Sequence, residues 1–448
     1  MNKHLLLIVH FLFLNVYSNA QGWNELGTGA NALNANGSIY SIVNDNSGNI
    51  YAAGNFTNTK GKYYVAKWNG TSWSELCTGT DSLNANGAIN ALAIDLSGNI
   101  YAGGGFTDGN GKYYVAKWNG QNWSQVGTAS SYINYKIFTI AADPSGNIYT
   151  AGYSGLTTVP FTAYIAKWNG TIWSALNVSS IPAPVYSITI DASGNLYAGG
   201  YVDVTGYSNV GEWNGSSWTE LGTVTATNKW DTIKAVAADA YGNVFSAGYF
   251  LNTVTKWNGT SWSQLGTGSS ALNANGGIYT LVVDKPGNVY AAGQFTDGNG
   301  KTYVSEWNGT SWTELGTGTN ALNANGSINS ICIYTSTYLY AGGSFTNANN
   351  KYYVAEYMLG STTTAISSQL VQASVNIYPN PGTGMINISG LSEDCQLSVC
   401  NVLGETLSTY SISNADAQLD VSNLHSGVYS LLLTGQKNSY APVKWVKE

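Results

Sequence analysis

Ala66-Lys67-Trp68-Asn69-Gly70-Thr71-Ser72-Trp73-Ser74-Glu75-Leu76 is the stretch from which the fold can be read. Asn-Gly supplies the positive φ angles of a tight primed turn, so the run reads as a β-hairpin. Side chains alternate with period two, so a loop of two or of four residues places Trp68 and Trp73 on one face. The run returns at residues 116–126, 166–176 and 255–265, and more loosely at 211–221 and 305–315. Paired indoles copied along a chain are a packing device, not a catalytic constellation.

Working outward, the second tryptophan of the motif falls at Trp23, Trp73, Trp123, Trp173, Trp218, Trp262 and Trp312, with spacings of 50, 50, 50, 45, 44 and 50. That is the period of propeller blades. Each unit holds four strand-like runs; in the second these are residues 88–95, 99–106, 113–118 and 123–126. The first two are joined by Asp95-Leu96-Ser97-Gly98-Asn99, which recurs at residues 143–147, 191–195 and 239–243. Asp and Asn could ligate calcium, but the spacing is not that of an EF-hand, and a turn wants the same residues for its backbone. Outer strand 23–26 precedes every set, and the last set, residues 328–357, has none of its own. The economical arrangement is all-β: a seven-bladed β-propeller closed by its N-terminal strand, which leaves few open edges.

Composition narrows the function. Of 448 residues 44% are hydrophobic and only 9% charged, with 53 Gly, 32 Tyr and 15 Trp, a mixture suited to short strands and glycine turns. The net charge is −7 and all 17 basic residues are lysines, so arginine's planar fork is missing and nucleic acid is not expected as a partner. Beyond His4 and His10 the one histidine is His425, which removes histidine-based nucleophilic and metal chemistry from the repeats. Cys77, Cys332, Cys395 and Cys400 show no disulfide framework, and Cys77 stands where other repeats carry Gly. No metal and no cofactor are expected.

Four segments follow. Residues 1–20 read as a secretory signal peptide, with Lys3, a short apolar run and cleavage between Ala20 and Gln21. The propeller covers 21–358, a linker 359–374, and a further domain 375–448. No apolar run reaches the length of a transmembrane segment. The propeller resembles kelch-like seven-bladed proteins through its Trp-Asn-Gly hairpins and Tyr-Ala-Gly-Gly runs such as residues 101–104, although the later kelch aromatics are not in place. The last domain reads as short strands at 376–381, 397–399, 420–424, 427–431 and 443–447.

Three features of that domain, Tyr378-Pro379-Asn380-Pro381, the Leu-x-x-Gly-x-Tyr segment with Gly427 and Tyr429, and a final strand bearing Lys444 and Lys447, closely resemble the type A C-terminal sorting domain of the Bacteroidetes type IX secretion system. The resemblance implies a small Ig-like β-sandwich, recognition by the outer-membrane secretion translocon, and release or attachment at the cell surface.

In such a blade the Asp-to-Asn and Trp-Asn-Gly hairpins leave on one face, and the longer connections on the other, where binding usually resides. Leu-Asn-Ala-Asn-Gly occurs at 33–37, 83–87, 272–276 and 322–326, in the units that also carry a lysine–tyrosine loop. Ring closure makes these four units neighbours, opposite a divergent sector of blades starting near Ile137, Val185 and Ile233. Asp108, Asn110, Lys112, Tyr113, Asp297, Asn299, Lys301, Tyr303, Lys351 and Tyr352 are therefore the candidate ligand-binding residues; amide plus aromatic is the chemistry of sugar binding. The competing reading is four duplicates that have not diverged. Asp108-Gly109-Asn110-Gly111 hints weakly at calcium.

The expected function is non-enzymatic recognition of a glycan or surface protein, with no catalytic residue assigned. A polysaccharide hydrolase or lyase is the first alternative, with the non-repeated acids Asp203 and Asp231 as its best pair. A structural role in adhesion or biofilm is the second.

Overall fold

The computed structural model describes residues 22–127, 132–133, 135–154, 162–176, 184–200, 209–224, 232–249, 252–359, 376–391, 394–400, 406–413, 417–435 and 443–448. The expected signal peptide with its Ala20–Gln21 cleavage site, linker residues 360–374, and the acids Asp203 and Asp231 lie outside them, while Leu359, expected to open the linker, is buried in the core of the first unit. The chain forms two compact units, divided between Leu359 and Gly360.

The first unit contains seven four-stranded antiparallel sheets. Their first strands are Ile39–Asn44, Ile89–Ile94, Ile137–Ala142, Val185–Ile190, Thr232–Ala238, Ile278–Val283 and Ile328–Tyr334, here blades 1 to 7. Strand Trp23–Glu25 completes blade 7 by pairing with Tyr352–Met358, Trp23 opposite Tyr357, so the ring closes as the sequence predicts. In blade 2 the third strand, Ala116–Trp118, starts later than the sequence suggests, and Tyr113 pairs instead with Thr107 inside its own loop.

Each Trp-Asn-Gly hairpin has a four-residue loop, with Trp68 directly opposite Trp73 and their rings 5.9 Å apart. Only the glycine takes a positive φ, 93° at Gly70; Asn69 instead accepts the N–H groups of Thr71 and Ser72 through Oδ1, both at 3.0 Å. The expectation of a primed turn with both residues left-handed is thus corrected: a side-chain cap replaces one of the two unusual φ angles.

The second indole of the pair also reaches across to the previous blade. Trp73 Nε1 donates to the Leu26 carbonyl at 2.7 Å, and Trp23, Trp123, Trp173, Trp262 and Trp312 make the same bond to Leu315, Leu76, Val126, Leu221 and Leu265. Trp218 in blade 4 is the exception: its Nε1 is buried with no hydrogen-bond partner among the described residues.

A second belt runs around the centre. The first strand of each blade is an open edge whose N–H groups need acceptors. Hydroxyls of neighbouring first strands supply them: Ser330 accepts from Ile42 N, Ser41 from Leu92 N, Thr139 from Ile188 N, Ser187 from Val236 N and Thr280 from Ile331 N, at 3.0–3.4 Å.

Every first strand also carries a β-bulge at its start, between Ile39 and Ser41 in blade 1 and at the matching place in the other six. A bulge inserts one residue and re-aims its side chain. The inserted residues are Tyr40, Asn90, Phe138, Tyr186, Lys234, Tyr279 and Asn329.

The second unit packs a three-stranded sheet (Asn376–Tyr378, Met385–Ser389, Ala417–Asp420) and a four-stranded sheet (Thr406–Ile412, Cys395–Cys400, Gly427–Gly435, Val443–Lys447) around one core that includes Ile386, Leu397, Leu431 and Trp445. Three of these strands, Met385–Ser389, Thr406–Ile412 and all of Ala417–Asp420 but its last residue, are not evident in the sequence. Residues 421–424, read there as strand, form a turn closed by Leu424 N donating to Val421 O at 3.1 Å.

Candidate functional site

The two faces of the propeller differ in how far they satisfy themselves. On the face of tight hairpins, Asp95 Oδ1 accepts from Ser97 N and Asn99 N, while Oδ2 accepts from Asn99 Nδ2 at 2.7 Å and the Tyr101 hydroxyl at 3.0 Å. Asp45, Asp143 and Asp191 do the same. Burial and these carboxylates push the tyrosine hydroxyls well above their usual pKa.

Third-strand lysines then lie over the tyrosine rings, as Lys117 does at 5.5 Å from Tyr101. Where glutamate replaces lysine, it accepts from the tyrosine hydroxyl: Glu212 from Tyr197 at 3.3 Å and Glu306 from Tyr290 at 2.9 Å. A cavity of about 240 Å³ on this face lies against blades 2 to 4, but its three carboxylates, Asp95, Asp143 and Asp191, are those already saturated by their turns.

On the opposite face the four similar units are fastened together. In Leu-Asn-Ala-Asn-Gly the first Asn is left-handed, with φ of 46–50° at Asn34, Asn84, Asn273 and Asn323. The Ala joins the previous blade: Ala85 with Tyr63, Ala35 with Tyr352 and Ala324 with Thr302, each exchanging two N–H···O bonds of 3.0–3.2 Å. The second Asn clamps a threonine of its own blade; Asn86 donates to Thr107 Oγ1 at 3.1 Å and accepts from Thr107 N at 2.8 Å.

Within that arc the sequence-derived candidates occupy three separate loops, of blades 2, 6 and 7. Asp108 Oδ1 accepts from Asn110 N and Lys112 N, both at 2.9 Å. Asp297 does likewise with Asn299 and Lys301, and these N–H groups hold its carboxyl below the usual range. Tyr303 packs edge-on against Phe295 at 4.9 Å, and Lys351 and Tyr352 are tied by backbone bonds to Asn347 and Ala35. Of this set only Asp108 lines a described cavity, about 160 Å³, with Tyr114, Trp123 and Gln125. Among the described residues no group of three or more His, Cys, Asp or Glu side chains is placed to hold a metal ion.

The bulge residues form the site that the sequence did not reveal. The first strands of neighbouring blades abut all the way round, so their bulges encircle the axis on the loop face. Asn90 Nδ2 donates to the Ile137 carbonyl at 2.7 Å and Asn329 Nδ2 to Ile39 at 2.9 Å, each one blade on. Through blades 3 to 6 the ring is aromatic and cationic. Phe138 and Tyr186 lie 5.6 Å apart, Lys234 Nζ sits 3.2 Å over the Tyr186 ring, and the Tyr279 hydroxyl donates to Gln294 Oε1 at 2.7 Å and lies 3.1 Å from the Tyr249 hydroxyl. Burial lowers the Lys234 pKa to about 8. The signal was present as the residue after each opening Ile or Val, but strict alternation treats that position as ordinary strand.

In the second unit the motif residues converge on one corner. Trp445 Nε1 donates to the Pro379 carbonyl at 2.8 Å, Asn380 Oδ1 accepts from Val446 N at 3.0 Å, and Pro381 precedes Gly382, whose N–H donates to Val446 O. Gly427 pairs with Lys447 and Tyr429 with Trp445; Ser430 pairs with Lys444. Lys447 is 7% exposed, and its ammonium donates to the Val421 and Ser422 carbonyls at 3.0 and 2.6 Å.

The first unit is therefore a seven-bladed β-propeller, and the second is a small β-sandwich bearing a secretion signal. Residues 376–448 match the family described as secretion system C-terminal sorting domain. The chain is accordingly a client of the type IX secretion machinery and is secreted or attached to the outer cell surface. No helix of the described residues is long and apolar enough to cross a membrane.

Solved structures share the architecture at low identity. PorZ, an essential bacterial surface component of the type IX secretion system of Porphyromonas gingivalis, aligns over 92% of this chain and 59% of its own, with 16% identity and a TM-score of 0.51. The extracellular domain of a hybrid two-component system protein from B. thetaiotaomicron aligns over 96% and 57%, with 13% identity and a TM-score of 0.52. Virginiamycin B lyase from Staphylococcus aureus aligns over 75% and 99%, with 11% identity and a TM-score of 0.52. The chain thus spans under two thirds of the first two, and the likeness is one of fold. No curated protein matches the chain.

Proposed function

We propose that the propeller is a non-enzymatic recognition module for glycans, carried to the cell surface by the sorting domain and binding through the axial mouth of its loop face. One observation carries this reading: the bulge ring gathers aromatic, phenolic and amide side chains around the axis, whereas the carboxylates of the opposite face are saturated by their own turns. Aromatic rings suit the C–H faces of sugars, and phenols and amides suit their hydroxyl rims. A rigid scaffold surrounding such a mouth pre-organises it, which reduces the ordering cost of binding.

The test is a glycan array probed with the full-length chain, with and without calcium, reading the same wells for released reducing ends. Retention without release is the expected result. Release of reducing ends would replace this reading by that of a polysaccharide-active enzyme and direct mutagenesis to Asp203 and Asp231. Silence in both channels would leave a protein partner or a structural surface role as the function.

A further inference from the structure

Blade 2 interrupts the repeated frame at its outer edge. In blades 1 and 7 a loop asparagine is bonded to a glutamate of the outer strand: Asn58 Nδ2 donates to both oxygens of Glu75 at 3.2 Å, and Asn347 Nδ2 to both oxygens of Glu25 at 3.1 Å. At the same two places blade 2 carries Asp108 and Gln125, with acid and amide exchanged, and among the described residues no bond joins them. Asp108 Oδ1 accepts the Asn110 and Lys112 N–H groups, as Asn58 Oδ1 accepts those of Lys60 and Lys62. Its Oδ2 has neither a hydrogen bond nor an ion pair among the described residues. Blade 6 differs again, since Asp297 Oδ2 there is taken by Asn299 Nδ2 at 3.2 Å.

Where the bridge is missing lies the cavity of about 160 Å³, lined by Trp123, Tyr114, Leu83 and Ala116 together with Asp108 and Gln125. Among the described residues the Asp108 Oδ2, the Tyr114 hydroxyl and the Gln125 amide are all without a hydrogen bond. Burial and the Asp108 charge raise the Tyr114 pKa, so the phenol stays a neutral donor and the carboxylate's charge is felt inside the cavity. A cavity of about 150 Å³ holds a single six-membered ring. A few convergent polar groups among aromatic walls are the make-up of a small-ligand site. An acceptor whose charge is unbalanced favours a ligand that brings a positively charged donor.

We propose that this cavity at the outer edge of blade 2 is a subsite for one hexosamine residue with a free amino group. Asp108 Oδ2 accepts from the sugar's ammonium, Tyr114 and Gln125 meet its ring hydroxyls, and Trp123 walls the apolar side. A lysine side chain would bring the same ammonium without the hydroxyls, and would leave the Tyr114 and Gln125 polar groups unpaired as the site closed over it. The subsite is a second one, away from the axial mouth and independent of it.

Full-length protein is titrated at pH 6 with methyl glucosaminide, its N-acetyl derivative, methyl glucoside and n-butylamine, followed by ligand-observed NMR. The wild type is expected to bind the free amino sugar about tenfold more tightly than the other two sugars, as a bond to a charged group implies. Asp108→Asn should abolish that preference; the loop keeps its cap, because Asn58 and Asn347 hold theirs in the same way. Asp108→Asn combined with Gln125→Glu installs the bridging pair of blades 1 and 7 at unchanged net charge, and should abolish sugar binding altogether. Equal affinity for the three sugars, binding of none of them, or a preference that survives either change overturns the assignment. Butylamine bound as tightly as the amino sugar also overturns it, in favour of a lysine side chain. Array retention at the axial mouth does not involve Asp108 or Gln125, so that reading and this one fail separately.

Discussion

In blades 6, 7, 1 and 2 the loops hold one another: Ala35, Ala85 and Ala324 exchange backbone bonds with the preceding blade, and each second Asn of Leu-Asn-Ala-Asn-Gly grips a threonine. In blades 3, 4 and 5 that motif is missing, the indole latch fails at Trp218, and the bulge positions carry Phe138, Tyr186 and Lys234. The repeated sector uses its polar groups to fasten the ring. The divergent one places Phe138 5.6 Å from Tyr186 and the Lys234 ammonium 3.2 Å over the Tyr186 ring. Sameness here marks the frame, and departure from the repeat falls in the sector of blades 3, 4 and 5.

Five substitutions break or sharpen that contrast. The largest effect is expected from Trp23→Ala at the ring seam, which removes the ring contact with Tyr357 at 5.2 Å and the bond to Leu315. It should cost about 3 kcal/mol, read as a lowered midpoint for the propeller transition in denaturant.

Next comes a matched pair. Trp312→Phe deprives the Leu265 carbonyl of its 2.9 Å donor and should cost about 1–2 kcal/mol. The same change at Trp218 removes a buried donor that has no acceptor, and should be neutral or stabilising by up to about 1 kcal/mol. Equal losses at both sites would erase the energetic distinction between the sectors.

Cys77 is the flaw inside the repeated frame. It has φ of 71° where Gly27, Gly127, Gly266 and Gly316 have 72–82°. Cys77→Gly should raise stability by about 1 kcal/mol, since a left-handed residue with a Cβ is strained; differential scanning calorimetry would register it as a higher midpoint.

The smallest effect concerns pH. Burial raises the Glu306 carboxyl above its usual 4.5, so the folded state holds that proton more tightly than the unfolded chain. Its contribution is therefore fully favourable below 4.5 and is lost as pH rises through the raised value. Glu306→Gln should flatten that part of the stability–pH curve relative to the wild type; parallel curves would contradict the assignment.

Much of this was legible in the chain. Trp–Asn–Gly–x–x–Trp announces a hairpin by itself, and a strand at Trp23 with no set of its own forces the ring closure. The turn aspartates were also readable, because Asp-x-Ser-Gly-Asn has a backbone use for every polar atom.

The bulges were not. Ile39 and Ile42 are three apart and both face the core, and a period-two count absorbs the extra residue without showing that Tyr40 has been re-aimed. On the loop face the sequence showed the chemistry and not its use: Asp108 and Asp297 are acids of a kind that could meet a sugar, and in the structure their carboxyls accept N–H groups of their own loops.

The seam has a consequence in time. Blade 7 is finished by Trp23–Glu25, whose partner strand ends at Met358. A chain emerging from its N-terminus must therefore keep its first strand waiting while the six intervening blades appear. Such distant pairing is slow to form. The ring can seal only after Met358 is available, so the whole repeat region stays an open ribbon until shortly before the sorting domain is made. Nascent chains arrested before Tyr352 should remain protease-sensitive at their start, while those extended past Met358 should become resistant there.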